Sequence, residues 1–202
     1  MIAANLDSIV IVASMADPPF RPGLVDRYLI AAARGGISPI LCINKIDQHS
    51  DTSAADAFRV PVVRCSAVTG AGVAELRDLL AGKLSALAGH SGVGKSSLLN
   101  ALAAEQRADT GRVNDETGKG RHTTTSSRLH RLGKEARIID TPGIREFGLG
   151  RITLAEVRAA FPEFEGLGCR FRDCRHREEP DCEVRDAGGP RYSAYLRLAG
   201  EL

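Results

Sequence analysis

Hydrophobic positions along this chain fall into two kinds of pattern. Four short apolar runs, 8-SIVIVA-13, 39-PILCIN-44, 60-VPVVRCS-66 and 84-LSALAG-89, have strand length, and the first three are rich in β-branched residues. Between the first two, Leu24, Val25, Tyr28, Leu29 and Ala32 recur at helical spacing, and Gly35-Gly36 ends the helix they predict. Further helices are expected near 53–58, 73–80 and 95–104, with two more strands near 128–132 and 136–140. Buried-type strands alternating with helices predict an α/β fold with a mostly parallel sheet and ligand loops at the carboxyl ends of its strands. The polar stretch from Glu105 to Ser127 has no apolar period and reads as a mobile loop. After Gly150 the alternation stops and a cysteine-bearing, arginine-rich segment begins, so a boundary is expected there, with domains at 1–150 and 151–202.

Composition changes this picture little. The 202 residues are 43% hydrophobic and 26% charged, as in ordinary globular proteins, enough for one good core and a small satellite. A net charge of +2 gives no global attraction to nucleic acid, so any basic footprint is local. The stretch from Arg107 to Arg137 is such a footprint, with eight Lys/Arg against four Asp/Glu. No apolar run reaches the roughly 18 residues of a membrane span. The apolar N-terminus is interrupted by Asp7 and has no Lys or Arg before Arg21, unlike a signal peptide. A cytoplasmic protein without membrane contact is expected.

The segment 89-GHSGVGKS-96 fits G-x-x-x-x-G-K-[ST] between an expected strand and an expected helix. Gly89, Gly92 and Gly94 let the backbone of His90, Ser91 and Val93 wrap a phosphate with its N–H groups. Lys95 can neutralise phosphate oxygens, Ser96 can offer a hydroxyl to Mg²⁺, and Ser97 continues the cradle. At the end of PILCIN, Asn44-Lys45-Ile46-Asp47 supplies a base-reading loop. The Asp47 carboxylate matches guanine's N1–H and 2-amino donors, which adenine lacks. Asn44 can tie this loop to the phosphate loop, and the Lys45 stem can cover the base. Ser66 and Ala67 close the next strand, where a backbone N–H can meet the guanine oxygen.

Downstream, 140-DTPG-143 ends a strand and fits D-x-x-G, with Asp140 reaching Mg²⁺ through water and the Gly143 amide facing the γ-phosphate. One threonine of 123–125 can complete the Mg²⁺ shell, and Thr124 is favoured over its neighbours. The next residue, Ile144, stands where Ras-like enzymes have the glutamine that orients water. His122 is the nearest side chain able to position or deprotonate water, set against a plain role as a loop histidine bonded to backbone.

Cys169, Cys174, His176 and Cys182 offer three thiolates and one imidazole within fourteen residues, the donor set of a closed tetrahedral zinc site. The alternatives are a disulfide, disfavoured by the odd count of five cysteines, or unliganded buried thiols. Cys42 and Cys65, in strand runs, read as small core residues. Arg170, Arg172, Arg175 and Arg177 interleave with the cluster, while Asp173, Glu178, Glu179 and Asp181 nearly cancel them, so RNA contact and a self-paired face stay open.

The order of motifs is base loop, Ser-Ala turn, phosphate loop, threonine segment, DTPG. With the wording NKID, GHSGVGKSSLLN, GRHTTT and DTPGIREFGL and the trailing Cys/His cluster, the chain resembles the ribosome small-subunit-dependent GTPase A family from about Ala3 to its end. The resemblance implies a circularly permuted P-loop GTPase fold followed by a small zinc-binding module. It also implies Mg²⁺-dependent hydrolysis of GTP to GDP and phosphate, stimulated by the small ribosomal subunit during its late maturation, with contact to its rRNA. A monomer is expected. Family members also carry an N-terminal oligonucleotide-binding barrel, which this sequence is expected to lack; that weakens the expectation of rRNA binding more than that of GTP turnover. Permutation puts 145-REFGLGRI-152 directly between DTPG and the C-terminal module, so a γ-phosphate-dependent movement is expected to reach that module. The other function classes left open are a GTP-dependent binding switch with negligible turnover and a generic P-loop ATPase, the latter opposed by Asp47.

Overall fold

The computed structural model describes residues 5–110, 128–133, 135–140 and 152–200. Its centre is strand β1 (Ser8–Ala13), whose six residues are all buried. Alternate side chains serve opposite faces. Ile9, Ile11 and Ala13 join one apolar cluster and Val10 and Val12 the other, as a strand covered on both sides requires. Helix α1 (Pro22–Gly35) starts two residues before its apolar period, because Pro22 is preorganised for the first turn, and ends at Gly36 in the left-handed region, φ 62°.

β2 (Ser38–Ile43), β3 (Val62–Arg64) and β4 (Leu84–Ala88) add parallel neighbours to β1 and to one another. β6 (Arg137–Asp140) pairs parallel with β4, and β5 (Arg128–Arg131) closes the edge antiparallel, giving the order β3-β2-β1-β4-β6-β5. The sheet is therefore mostly parallel, as expected. Ser8 and Ser85 are buried in its middle, and their hydroxyls lie 2.7 Å apart, each satisfying the other.

Helix α2 (Val73–Leu79) and helix α3 (Lys95–Thr110) cover one face through Val73, Leu76, Leu98, Leu99 and Leu102. Two expectations need correction here. The segment near 53–58 is a 3₁₀ turn, Ser53–Ala57, in which Ala55 alone is fully buried. The helix after the phosphate loop runs on to Thr110, six residues into the stretch read as loop, because good helix formers such as Ala103, Ala104, Glu105, Gln106 and Arg107 continue it without a breaker. The rest of that stretch lies outside the described residues.

The opposite face carries α1 and the C-terminal segment. α4 (Leu154–Ala159), α5 (Glu183–Ala187) and α6 (Gly189–Gly200) were not foreseen in sequence. Val157, Phe161, Ala194, Tyr195 and Leu198 enter the same apolar cluster as Ile9, Ile11 and Tyr28, so a single core runs across residue 150. At this seam Arg191 donates to Asp26 on α1, and Arg34 on α1 pairs with Glu156 at 2.6 Å. Among the described residues, no helix is long and apolar enough to cross a membrane.

Candidate nucleotide and metal sites

Parallel pairing brings the ends of β1, β2 and β4 to one edge of the sheet, and the loops that leave them meet there. The loop after β4 turns on Gly89, Gly92 and Gly94, with φ of 142°, 87° and 89°, a region open to glycine. Space demands glycine as well: a Cβ on Gly89 would run into the Val12 carbonyl oxygen, and one on Gly94 into Asn44 Nδ2. Val93 is buried beneath the turn, His90 is half-buried, and Ser91, Ser96 and Ser97 are exposed. Lys95 opens α3, and its Nζ donates to the Gly89 and His90 carbonyls at 2.8 Å each, which holds the ammonium inside the loop. His90 Nδ1 lies 2.8 Å from the Ser91 carbonyl oxygen.

Asn44, just past β2, is 1% exposed and joins three loops. Its Nδ2 donates to the Val93 carbonyl at 2.9 Å, its Oδ1 accepts from the Ala67 amide at 3.1 Å, and its own amide donates to the Ala13 carbonyl at 2.8 Å. Lys45 follows at φ 66°, and its Nζ donates to the Asp17 carbonyl at 2.6 Å. The Ile46 amide donates to the Cys65 carbonyl at 3.2 Å, so the loop is pinned at both ends, and Asp47 is left exposed. Ser66 is buried, and its hydroxyl accepts from the Thr69 amide at 3.1 Å, shaping the turn that presents Ala67. Cys42 and Cys65 are fully buried core residues. The Cys65 thiol beside it, and burial, push the Cys42 thiol well up.

Two contributors escaped the sequence. The Asp17 carbonyl belongs to the proline-rich loop 16-ADPPFRPG-23, which carries no motif of its own. Tyr28 was counted only as an apolar face, yet it lines the cavity beside Gly89, His90 and Val93; burial raises its phenol and the Gly89 backbone pulls it partly back. Asp140 is the last residue of β6, next to the strand that feeds the phosphate loop. His122, Thr124, Gly143 and Ile144 lie outside the described residues.

The second cluster is in the C-terminal segment. The ligand atoms of Cys169, Cys174, His176 and Cys182 all lie within 4.8 Å of one another, a group that could hold a metal ion. His176 Nδ1 is 3.4 Å from both the Cys169 and Cys182 sulfurs, which are themselves 3.8 Å apart. His176 sits at φ 58°, and its loop is clamped by Glu179, which accepts the Arg175 and Arg177 amides at 2.8 and 2.9 Å. Those amides hold Glu179 down at about 2. Burial pushes the Cys174 thiol up to about 12, so a cation bound there must displace that proton. Arg170 pairs with Asp181 at 3.3 Å and lies over Phe171, so part of the arginine cluster is self-paired.

A base loop that precedes its phosphate loop in sequence, both delivered to one edge of this sheet, defines a circularly permuted P-loop GTPase fold. Residues 1–150 match the model of the RsgA GTPase family, and the chain belongs to that family. It is 43% identical over 199 residues to the small ribosomal subunit biogenesis GTPase RsgA of Photorhabdus laumondii, covering 92% of this chain and 56% of that protein. The protein of the same name from Azotobacter vinelandii is 45% identical over 194 residues, covering 91% and 56%. Among solved structures, YjeQ from Thermotoga maritima superposes with a TM-score of 0.78 at 32% identity, covering 98% of this chain and 72% of that one. YloQ, described as a circularly permuted GTPase, gives 0.73 at 29% identity, covering 98% and 68%. The chain thus spans little more than half the length of these two curated relatives.

Proposed function

We propose that this chain is a Mg²⁺-dependent GTPase that converts GTP and water to GDP and phosphate. The observation that carries the reading is Asn44: one buried amide side chain ties the phosphate loop, the base loop and the Ser66-Ala67 turn into a single rigid cradle. In that cradle the Asp47 carboxylate accepts from guanine N1–H and the 2-amino group, with Lys45 and Ile46 along the base and the Ser66-Ala67 turn beside its oxygen. The amides from Gly89 to Ser97 and the Lys95 ammonium take the β- and γ-phosphate oxygens. Ser96, Thr124 and Asp140 would hold Mg²⁺, which neutralises charge between the β- and γ-oxygens when bound. The parallel pairing of β4 with β6 supports this set, since it brings Asp140 beside the strand that leads into the phosphate loop. Gly143 offers its amide to the γ-phosphate. Ile144 has no polar atom with which to orient water, and His122 fills that role.

The Cys₃His cluster is read as a structural zinc site. With zinc–sulfur bonds of about 2.3 Å and zinc–nitrogen bonds of about 2.05 Å, tetrahedral geometry sets sulfur pairs about 3.8 Å apart and sulfur–nitrogen pairs about 3.5 Å apart. The 3.8 and 3.4 Å separations among Cys169, His176 and Cys182 fit those edges. The relatives' name supports a role in biogenesis of the small ribosomal subunit; this chain is read as acting in late maturation of that subunit, as a cytoplasmic monomer contacting rRNA through the basic stretch 107–137. Residues 1–150 act as the GTPase unit and 151–202 as the zinc-binding module.

Comparing GTP hydrolysis with and without purified small ribosomal subunits tests this, with Lys95→Ala as the blank. Stimulation by the subunit that is absent in Lys95→Ala is the expected result. Ile144 supports a second reading, a GTP-dependent binding switch; guanine nucleotide bound without stimulated turnover would favour it.

A further inference from the structure

Helix α6 faces two ways. Tyr192 and Tyr195 donate their hydroxyls to the His176 and Arg175 carbonyls, at 2.8 and 2.9 Å, and so brace the loop that carries the imidazole of the Cys₃His cluster. Arg191, next in sequence to Tyr192, points away from the Cys/His loop and bridges to α1. It donates to Asp26 of α1 and, through Nε, to Glu163 at 2.7 Å, with its guanidinium 4.3 Å from the ring centres of both Phe58 and Phe161. Asp26 is fully buried, and among the described residues its Oδ2 has no partner. The carboxylate therefore depends on Arg191, because a buried charge without its counter-ion is strongly destabilising.

Asp26 and Tyr28 are two residues apart on α1, about 200° around the helix, and so lie on nearly opposite sides of it. One side holds the module through Arg191; on the other, Tyr28 borders the phosphate loop, lining one cavity with Gly89, His90 and Val93, where the Gly89 backbone acts on its phenol. A continuous series of bonds and packing contacts thus links the Cys/His loop, α6, α1 and the phosphate loop.

We propose that metal occupancy of the Cys₃His cluster and nucleotide occupancy of the phosphate loop are thermodynamically coupled through α6 and α1, by way of Arg191, Asp26 and Tyr28. The coupling rests on the reading of the phosphate loop as a guanine-nucleotide site. A cation orders residues 169–182 and gives Tyr192 and Tyr195 fixed acceptors, which holds Arg191 on Asp26. That fixes α1, and α1 fixes the Gly89 amide at the start of the phosphate loop. Without the cation, nucleotide binding must order the whole path itself, so each ligand binds more tightly when the other is present. This route runs through packed helices and is separate from the covalent link between DTPG and the module.

The test uses the full chain, with Zn²⁺ and GDP as probes. Zinc affinity is measured by competition with a chromogenic chelator, with and without saturating GDP. GDP affinity is measured with and without zinc. The expected result is mutual tightening of at least about five-fold, with the two factors equal as linkage requires. In Tyr28→Phe, which keeps the ring and removes only the hydroxyl, the factor falls towards one while both ligands still bind. Equal zinc affinity with and without GDP overturns the coupling, and an undiminished factor in Tyr28→Phe overturns the route. Failure of the zinc-loaded chain to bind GDP at all would instead overturn the nucleotide reading.

Discussion

The two clusters are held in opposite ways. The nucleotide loops hang from a sheet buried on both faces, and their geometry is set by backbone bonds, by glycines without alternatives and by one buried amide. Among the described residues, the buried core of the Cys/His loop comprises Cys174, Cys182 and Val184, two of which are candidate metal donors. Its remaining order comes from a carboxylate gripping two amides and from tyrosines reaching in from α6. Burial of apolar surface can hold the first region, whereas the second requires its donor atoms to be satisfied. The lesson is that, although one apolar cluster runs across residue 150, the two regions should respond differently to the loss of a single polar group.

The sharpest way to break this comparison is Cys182→Ser, or removal of the metal by a chelator. Structural zinc contributes on the order of 10 kcal/mol in small zinc-dependent folds. Hydrogen exchange should show protection lost across 169–188 and retained in β1, β2 and β4. Uniform loss in both regions would show that the module has no order of its own to lose.

Arg191→Met comes next. It strands the Asp26 carboxylate at the seam and should lower unfolding stability by about 3–5 kcal/mol in denaturant titrations, whereas Asp26→Leu combined with Arg191→Met should recover most of that loss. A double variant as unstable as the single one would locate the stabilisation in the arginine's packing between Phe58 and Phe161.

The smallest effect belongs to the exposed pair at the same seam. Arg34 and the Thr153 amide hold Glu156 at about 2, below its ordinary 4.5. A lowered carboxylate contributes stability that is complete above pH 4.5 and fades as pH falls towards 2. Arg34→Met should therefore flatten the acid limb of stability against pH while leaving most of the plateau intact. An unchanged acid limb would assign the effect to Thr153 alone.

Much of the sheet was legible because a strand covered on both faces writes itself as a continuous apolar run. Strand β4 was harder to read, since Ser85 breaks its run and is accommodated only because Ser8 faces it across the ladder. The phosphate and base loops were legible for a related reason: glycine spacing and the Asn-Lys-x-Asp order state local backbone needs within a few residues. The capping box at Thr153 and Glu156 has an equally local signature, T-x-x-E, and was overlooked in a segment read for its cysteines.

What sequence could not display is where Arg191 goes. In the chain it is one arginine of a polar tail, 165 residues from Asp26, and nothing nearby distinguishes it from its solvated neighbours. The same holds for the Tyr28 hydroxyl and the Asp17 carbonyl. Periodicity, glycine spacing and Cys/His spacing are properties of nearby residues, so they were sufficient for the strands, the glycine turns and the grouping of the Cys/His set. The seam between the sheet and the module brings together groups far apart in the chain, and such groups acquire partners only once the core has closed around them.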